Sequence, residues 1–298
     1  MAETPSYAII SSGFENGVGE VRLSKWWDFV AYIHESIVDD PGFVWRGQKS
    51  EAWPLQPSLE RLFEPLKIDP ASDDGDTHRF EHMSRFKLAV RGHVDPHDLE
   101  ERLLDPLSSA KANIEVGENT PLGPSLAERE ENNWWALGQH YGLSTPLLDW
   151  STSPFVAAFF AFMEPSPICE QSEDRAIYGL HRPLVSLKSD EIRELDSELG
   201  RSKTVSFIEP LYKGNPRIVN QGGLFTRTPD GVDVKKWIQD NFTEGDDEVY
   251  LLKLTLPDED REHILRFLNR MNINHRSLFP DLYGATGFVN MRLKIQNY

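Results

Sequence analysis

The stretch "GQHYGLSTPLLDWSTSPFVAAFFAF", Gly138–Phe162, sets Gln139, His140, Asp149 and the hydroxyls Ser151, Thr152 and Ser153 beside a long apolar run. Polar groups that border buried segments are either hydrogen-bonded parts of the architecture or parts of a site. An imidazole and a carboxylate together could act as a base pair in hydrolysis, with His140 titrating near neutral pH. The duller alternatives are equally concrete. His140 closes a helix, where a histidine serves as a cap or a satisfied core group. Asp149 could bond a turn backbone or pair with Arg46. No metal is expected, because Ser144 stands where a second imidazole at i+4 would be needed.

Two more segments carry candidate groups. In "FVWRGQ" a guanidinium, Arg46, ends an apolar run and precedes Gly47. Such a group can clamp a phosphate or carboxylate in bidentate fashion, and a glycine permits close approach of a ligand or another backbone. In "GNPRIVNQGGLFTRTP", Arg217, Asn220 and Gln221 flank two glycines. The Gln221 amide can donate and accept at a ligand edge, or the segment can be a bulge with bonding side chains. "HRSLFPDLYGA" reads as a packing corner around Phe279, Pro280 and Tyr283. P-loop, dinucleotide glycine fingerprint, nucleophile elbow and H-E-x-x-H motifs are missing from the sequence.

The elements that would position these groups follow from periodicity. A first helix is expected over Leu23–Ile37 with Ser24 as its cap, then a short strand from Phe43 that the Arg46 charge terminates. Helices are expected after Pro57, from Asp76 or Thr77 with a stripe of Phe80, Met83, Phe86 and Val90, and over "AEREENNWWALGQHYG" with Trp134, Leu137 and Tyr141 on one face. "TPLLDW" is a strand candidate, and "SPFVAAFFAF" a core helix with Ser153 at its cap and Pro154 at its first position. Later strands are expected at "RAIYGLHR", "VSFIEP", "RIVNQGGLFTRT" and "DEVYLLKLTLP". Helices are expected at "DGVDVKKWIQDNF" and "EDREHILRFLNRMNI". Helices then dominate the first half and strands the second. The expectation is one α+β domain with mixed β-sheets and flanking helices, residues 23–298, after an extension over 1–22 and with a loop-rich insertion near 95–125.

Bulk composition bounds the function. The chain has 298 residues, 39% hydrophobic, with 8 Trp, enough for a sizeable core. Its net charge of −17 opposes phosphate backbones, so general nucleic-acid binding is not expected, although a local basic pocket is compatible with it. The single cysteine, Cys169, excludes an internal disulfide framework and reads as an inert thiol in an acidic loop. No signal peptide and no apolar run of membrane-spanning length is present, and a soluble cytoplasmic protein is the default expectation.

"FVWRGQ", "WWALGQHYGLSTPLLDWSTSPFVAAFFAF", "NPRIVNQGGLF" and "NINHRSLFPDLYGA", in this order, resemble the FRG domain family. The resemblance implies a bacterial or phage-related protein, and by analogy a defence or toxin-type effector acting on a protein target. The chain also resembles the ADP-ribosyltransferase fold of the Arg–Ser–Glu class. There an arginine ends the first strand, a Ser-Thr-Ser segment precedes an Ala- and Phe-containing helix, and a third strand carries a catalytic glutamate. This second resemblance implies an NAD-type nucleotide ligand, with Arg46 on its phosphates and Ser151 on the nicotinamide ribose. Gln221 stands nearest the glutamate position, and an amide cannot supply the charge that an oxocarbenium-like transition state needs. Glu209 and Asp149 are the alternative acids. The candidate set is therefore His140, Asp149 and Gln221 for chemistry, and Arg46, Gly47, Gln139, Ser151 and Arg217 for binding NAD. The rival expectation is an interaction module in which the same polar groups form a structural network.

Overall fold

The computed structural model describes residues 6–91, 126–165, 174–195, 203–210, 216–242 and 248–298. The expected insertion near 95–125 and Cys169 fall essentially outside the described residues. Among the described residues, eight strands form one mixed sheet in the order β1-β2-β8-β5-β3-β4-β7-β6. They are β1 (Ile9–Glu15), β2 (Val18–Leu23), β3 (Phe43–Gln48), β4 (Leu148–Ser151), β5 (Asp174–His181), β6 (Ser206–Ile208), β7 (Gly223–Arg227) and β8 (Leu251–Pro257). Only β2 and β8 run parallel; the other neighbours are antiparallel. Strands are thus spread along the chain, in place of the expected concentration in the second half. β1 and β2 were not anticipated. They join at Asn16-Gly17, both at positive φ (46° and 76°), the geometry that a two-residue hairpin turn demands.

Strand alternation sends side chains to two cores. Phe43 and Trp45 of β3, Ile177 of β5, and Leu252, Leu254 and Leu256 of β8 face one side. There they pack against α1 (Trp26–Tyr32), α5 (Pro154–Phe162), α9 (Arg261–Arg270), α10 (His275–Leu278) and α11 (Leu282–Lys294). Val44, Ala176, Tyr178, Leu180 and Leu251 face the other side, with Val185 of α6 (Arg182–Leu195) and Val234, Trp237 and Ile238 of α8 (Val234–Asn241). A third core gathers Leu59 and Phe63 of α2 (Ser58–Leu66), Met83 of α3 (Asp73–Ala89) and Trp135 of α4 (Leu126–His140) against Leu147, Ile208 and Phe225.

α5 keeps every feature expected of it. Ser153 accepts from the Val156 amide, Pro154 opens the helix, and its middle is fully buried. Its C-terminal carbonyls are held by two arginines. Arg175 Nη1 donates to Ala161 O at 3.0 Å, and Arg261 donates to Phe162 O and Met163 O at 2.7 and 2.8 Å.

Several local expectations are corrected. α1 starts at Trp26, because Leu23 ends β2; Ser24 donates to the Asp28 carboxylate rather than capping the helix, which passes into a π-helical turn over Ile33–Ile37. β3 continues through Arg46 to Gln48, since Arg46 remains in the β5 ladder opposite Tyr178. α3 begins three residues early, capped by Ser72, and Phe80 is 74% exposed instead of lying on its apolar stripe. On α4 Trp135, Ala136 and Leu137 are buried, whereas Tyr141, just beyond its end, is exposed. "RIVNQGGLFTRT" divides into α7 (Pro216–Gln221) and β7, and Gly222 at φ +55° makes the break.

Candidate functional site

The cleft lies where β3, β4 and β7 meet. Trp45 of β3 is registered with Ser151 of β4, and Ser151 with Gly223 of β7. β3 and β4 share only that one couple, so the Asp149 carbonyl has no ladder partner on β3. Arg46 fills the role: Nη1 donates to Asp149 O at 2.9 Å and also pairs with Asp149 Oδ2 at 2.9 Å. The cavity beside this pair holds ≈ 50 Å³ and is lined by Arg46, Asp149, Ser151, Gln221, Trp45 and Phe160, among others. At ~10–15 Å³ per water this is room for a few waters or one small group.

The two partners of the ion pair differ in exposure. The Arg46 side chain is 13% exposed and that of Asp149 is 62% exposed. Arg46 Nε is buried and finds no hydrogen-bond partner among the described residues. The other Asp149 oxygen, Oδ1, accepts from Gln139 Nε2 at 3.3 Å. Gln139 is itself oriented by Thr145, whose hydroxyl donates to Gln139 Oε1. Thr145 O accepts from the Leu59 amide at 3.1 Å, which docks the first turn of α2 next to the site.

Other expected residues have defined places. Ser151 Oγ donates to Gln221 O at 2.6 Å and accepts from Ser153 N at 3.0 Å. The Gln221 amide turns away from the cleft and donates to Leu278 O at 3.0 Å, while Asn220 donates to Ser277 O at 2.8 Å. These amides satisfy carbonyls of α10 and so dock the C-terminal segment. Gly47 borders the cavity, but its open face is taken by α5: a Cβ there would overlap the Ala157 carbonyl oxygen. Arg217 is drawn elsewhere. It pairs with Asp281 and lies over the Phe279 and Tyr283 rings at 5.4 and 5.7 Å. The His140 ring packs edge-on to Tyr141 at 4.8 Å and does not line the cavity. Glu209 pairs with Arg182. Among the described residues no cluster of three or more His, Cys, Asp or Glu could hold a metal, and no helix is long and apolar enough to cross a membrane.

Sequence reasoning missed Arg61. It sits on α2, two residues after Leu59, whose amide docks on Thr145, and Nη1 donates to Gln56 O at 2.8 Å. Its pKa is held below the usual arginine value first by partial desolvation and then by the like charge of Arg46, while Asp149 acts in the opposite sense. The charges of Arg46 and Asp149 therefore act on Arg61 in opposite senses. Nothing local in "PSLERLF" marks Arg61 out, since the same pattern describes any solvated helix face.

No curated protein and no solved structure matches the chain. Residues 41–168 do match a family model, and that span contains Arg46, Arg61, Gln139, Asp149 and Ser151 but stops before Arg217 and Gln221. The protein carries an FRG domain, and the cleft's charged residues lie within it.

Proposed function

We propose that the cleft binds a nucleotide-type small molecule, with NAD as the first candidate. The observation that carries this reading is the Arg46 guanidinium on the cavity wall, with Nε buried and unpartnered and its counter-ion exposed. A buried donor without an acceptor costs free energy, and an incoming phosphate or carboxylate oxygen would satisfy it. The cavity takes one end of such a ligand, and the remainder lies across its open rim. ADP-ribosyltransferase-like chemistry at this place would rest on Asp149, the carboxylate among the residues lining the cavity. It could supply the negative charge that the Gln221 amide lacks.

Thermal-shift measurements with millimolar NAD and ADP-ribose, on wild type and Arg46→Ala, test the reading. Binding to the native state raises the melting temperature by mass action. The expected result is a shift in the wild type that disappears in the variant. A shift that survives in Arg46→Ala, or none in the wild type, defeats the proposal.

A structural network is the second reading, favoured by the Thr145–Gln139–Asp149–Arg46 chain of bonds. Asp149→Asn separates the two. A network member should lose stability on that change, whereas an exposed site carboxylate should lose little or gain.

A further inference from the structure

We infer that α11 pairs with α11 of a second copy of this chain, antiparallel and in one register, which makes the protein a weak, concentration-dependent dimer. The inference is independent of the cleft.

α11 carries two stripes of the same spacing. Gly284, Phe288, Met291 and Ile295 follow at intervals of four, three and four residues and face inward, where Phe288, Met291 and Ile295 join the core. Leu282, Thr286, Val289 and Leu293 repeat those intervals two residues earlier, about 200° around the helix. All four are exposed, Leu282 by 84%, Val289 by 65% and Leu293 by 89%. Alternating fours and threes are the spacing of a helix–helix seam, in which each side chain enters a hole on a facing helix. A solvated helix face carries polar residues at these places. Here, among the described residues, two leucines and a valine stand uncovered along one line.

The seam fits itself. Laid antiparallel about its midpoint, it sets Leu282 against the partner's Leu293 and Thr286 against the partner's Val289. Large side chains meet at the ends and smaller ones at the centre. Charge selects the direction. Asp281 caps the start of α11, whereas Arg292 and Lys294 occupy its last turn and have no ion-pair partner among the described residues. A parallel pair would bring like ends and like helix dipoles together. The antiparallel pair places Lys294 beside the partner's Asp281, an acid shared with Arg217 of its own chain. It places Arg292 beside the partner's Ala285, so no like charges oppose one another along the flanks. A chain of net charge −17 repels its copies over most of its surface, and a face acidic at one end and basic at the other lets two copies meet. The same net charge makes an anionic membrane the poorer occupant. Because each copy offers the same stripe, the contact closes as a two-fold dimer. It is also small: the helix has 13 residues, about 20 Å of length, well short of a standard interface.

Sedimentation equilibrium of the full chain from about 10 µM to about 1 mM tests this, with an expected dissociation constant on the order of 100 µM. Leu293→Glu sets a carboxylate against the partner's Leu282 at both ends of the seam. It should weaken association by about tenfold or more, while its unfolding midpoint stays that of wild type because the side chain is exposed. Thr286→Val keeps the shape and removes a hydroxyl from the seam centre, so it should tighten association by about threefold. Lys294→Glu should weaken it by about two- to fivefold, and more at low salt. A wild type that stays monomeric over this range overturns the inference and leaves the stripe to a different protein. Dimerisation that Leu293→Glu leaves unchanged overturns it too, since the contact then lies elsewhere. Co-sedimentation with phosphatidylcholine vesicles containing phosphatidylserine covers the last occupant. A monomer that binds them, and loses the binding in Leu293→Glu, makes the stripe a lipid surface and overturns the dimer.

Discussion

Two strands that are neighbours in the sheet each carry an arginine paired with an aspartate, and the pairs do opposite things. Arg175 on β5 is fully buried; its Nε donates to Asp258 Oδ1 at 2.8 Å, its Nη2 lies 2.7 Å from the same oxygen as an ion pair without a hydrogen bond, and its Nη1 donates to the Ala161 carbonyl of α5. Arg46 on β3 is partly exposed, keeps Nε unsatisfied, and is matched to a carboxylate that faces water. The difference teaches that an Arg–Asp pair is not informative by itself. Each guanidinium keeps one buried nitrogen without a hydrogen bond among the described residues, Nη2 in Arg175 and Nε in Arg46, so the exposure of the acid is what separates a pair that holds the fold from one open to a ligand.

The largest effect expected from breaking this comparison is on the architectural side. Arg175→Ala leaves the Asp258 carboxylate without its buried partner and the Ala161 carbonyl of α5 without its donor, while Arg261 keeps Phe162 O and Met163 O, so it should cost about 3–5 kcal/mol. Urea unfolding of wild type and variant measures it. A loss no greater than that of Arg46→Ala would erase the distinction drawn between the pairs.

Glu60 on α2 sharpens the contrast from the acid side. It is buried, accepts from Gly231 N at 3.2 Å, and has no ion-pair partner among the described residues. Burial pushes its pKa up to about 7, helped by Asp230 and Asp233 and opposed by the Gly231 bond and by Arg79. Arg79 is meanwhile engaged by Asp76 and Asp230 at 2.6 and 3.1 Å. A carboxyl whose folded pKa lies above its unfolded value favours folding fully below the unfolded value. That contribution is lost as pH rises through the folded pKa. Stability should therefore fall between about pH 4.5 and pH 7, by up to about 3 kcal/mol from this group alone. Glu60→Gln should flatten that slope in melts taken across the range, and an unchanged slope would refute the assignment.

Gly47 offers a smaller test, since it follows Arg46 on β3 and abuts Ala157 and Ala161 of α5, whose end Arg175 holds. Gly47→Ala drives a methyl into the α5 backbone that Arg175 caps, and overpacking of this kind costs about 1–3 kcal/mol. If α5 shifts as a unit, the cleft lined by Ala157 and Phe160 moves with it. Denaturant unfolding gives the stability loss, and thermal shift of the same variant with NAD shows whether the cleft follows.

How far the sequence led is clearest from this same region. α5 was readable because cap, proline and apolar run are all local and all agree. Arg46, Asp149, Ser151 and Gln221 could be named, but their meeting depends on β3, β4 and β7 being adjacent. That is a long-range pairing no local pattern encodes. The hairpin at Asn16-Gly17 had a local signal that the sparse, polar strands beside it obscured. Gln221 was read for its amide, which the fold spends on α10, while its backbone carbonyl receives Ser151. Arg61 had no signal at all, because its importance arises only from what α2 docks against.

The smallest expected effect is the most discriminating. Arg46→Ala removes an ion pair whose acid faces water, so the pair itself contributes at most about 1 kcal/mol. The variant also frees the Asp149 carbonyl, a modest further loss, and relieves both the unsatisfied Nε and the repulsion from Arg61. These terms oppose one another, and the net change in unfolding free energy should lie within about 1 kcal/mol of zero. An arginine kept on a strand at so little benefit to stability belongs to the site and not the scaffold. A loss approaching that of Arg175→Ala would instead make Arg46 a second structural pair, and the cleft beside it a gap in the packing.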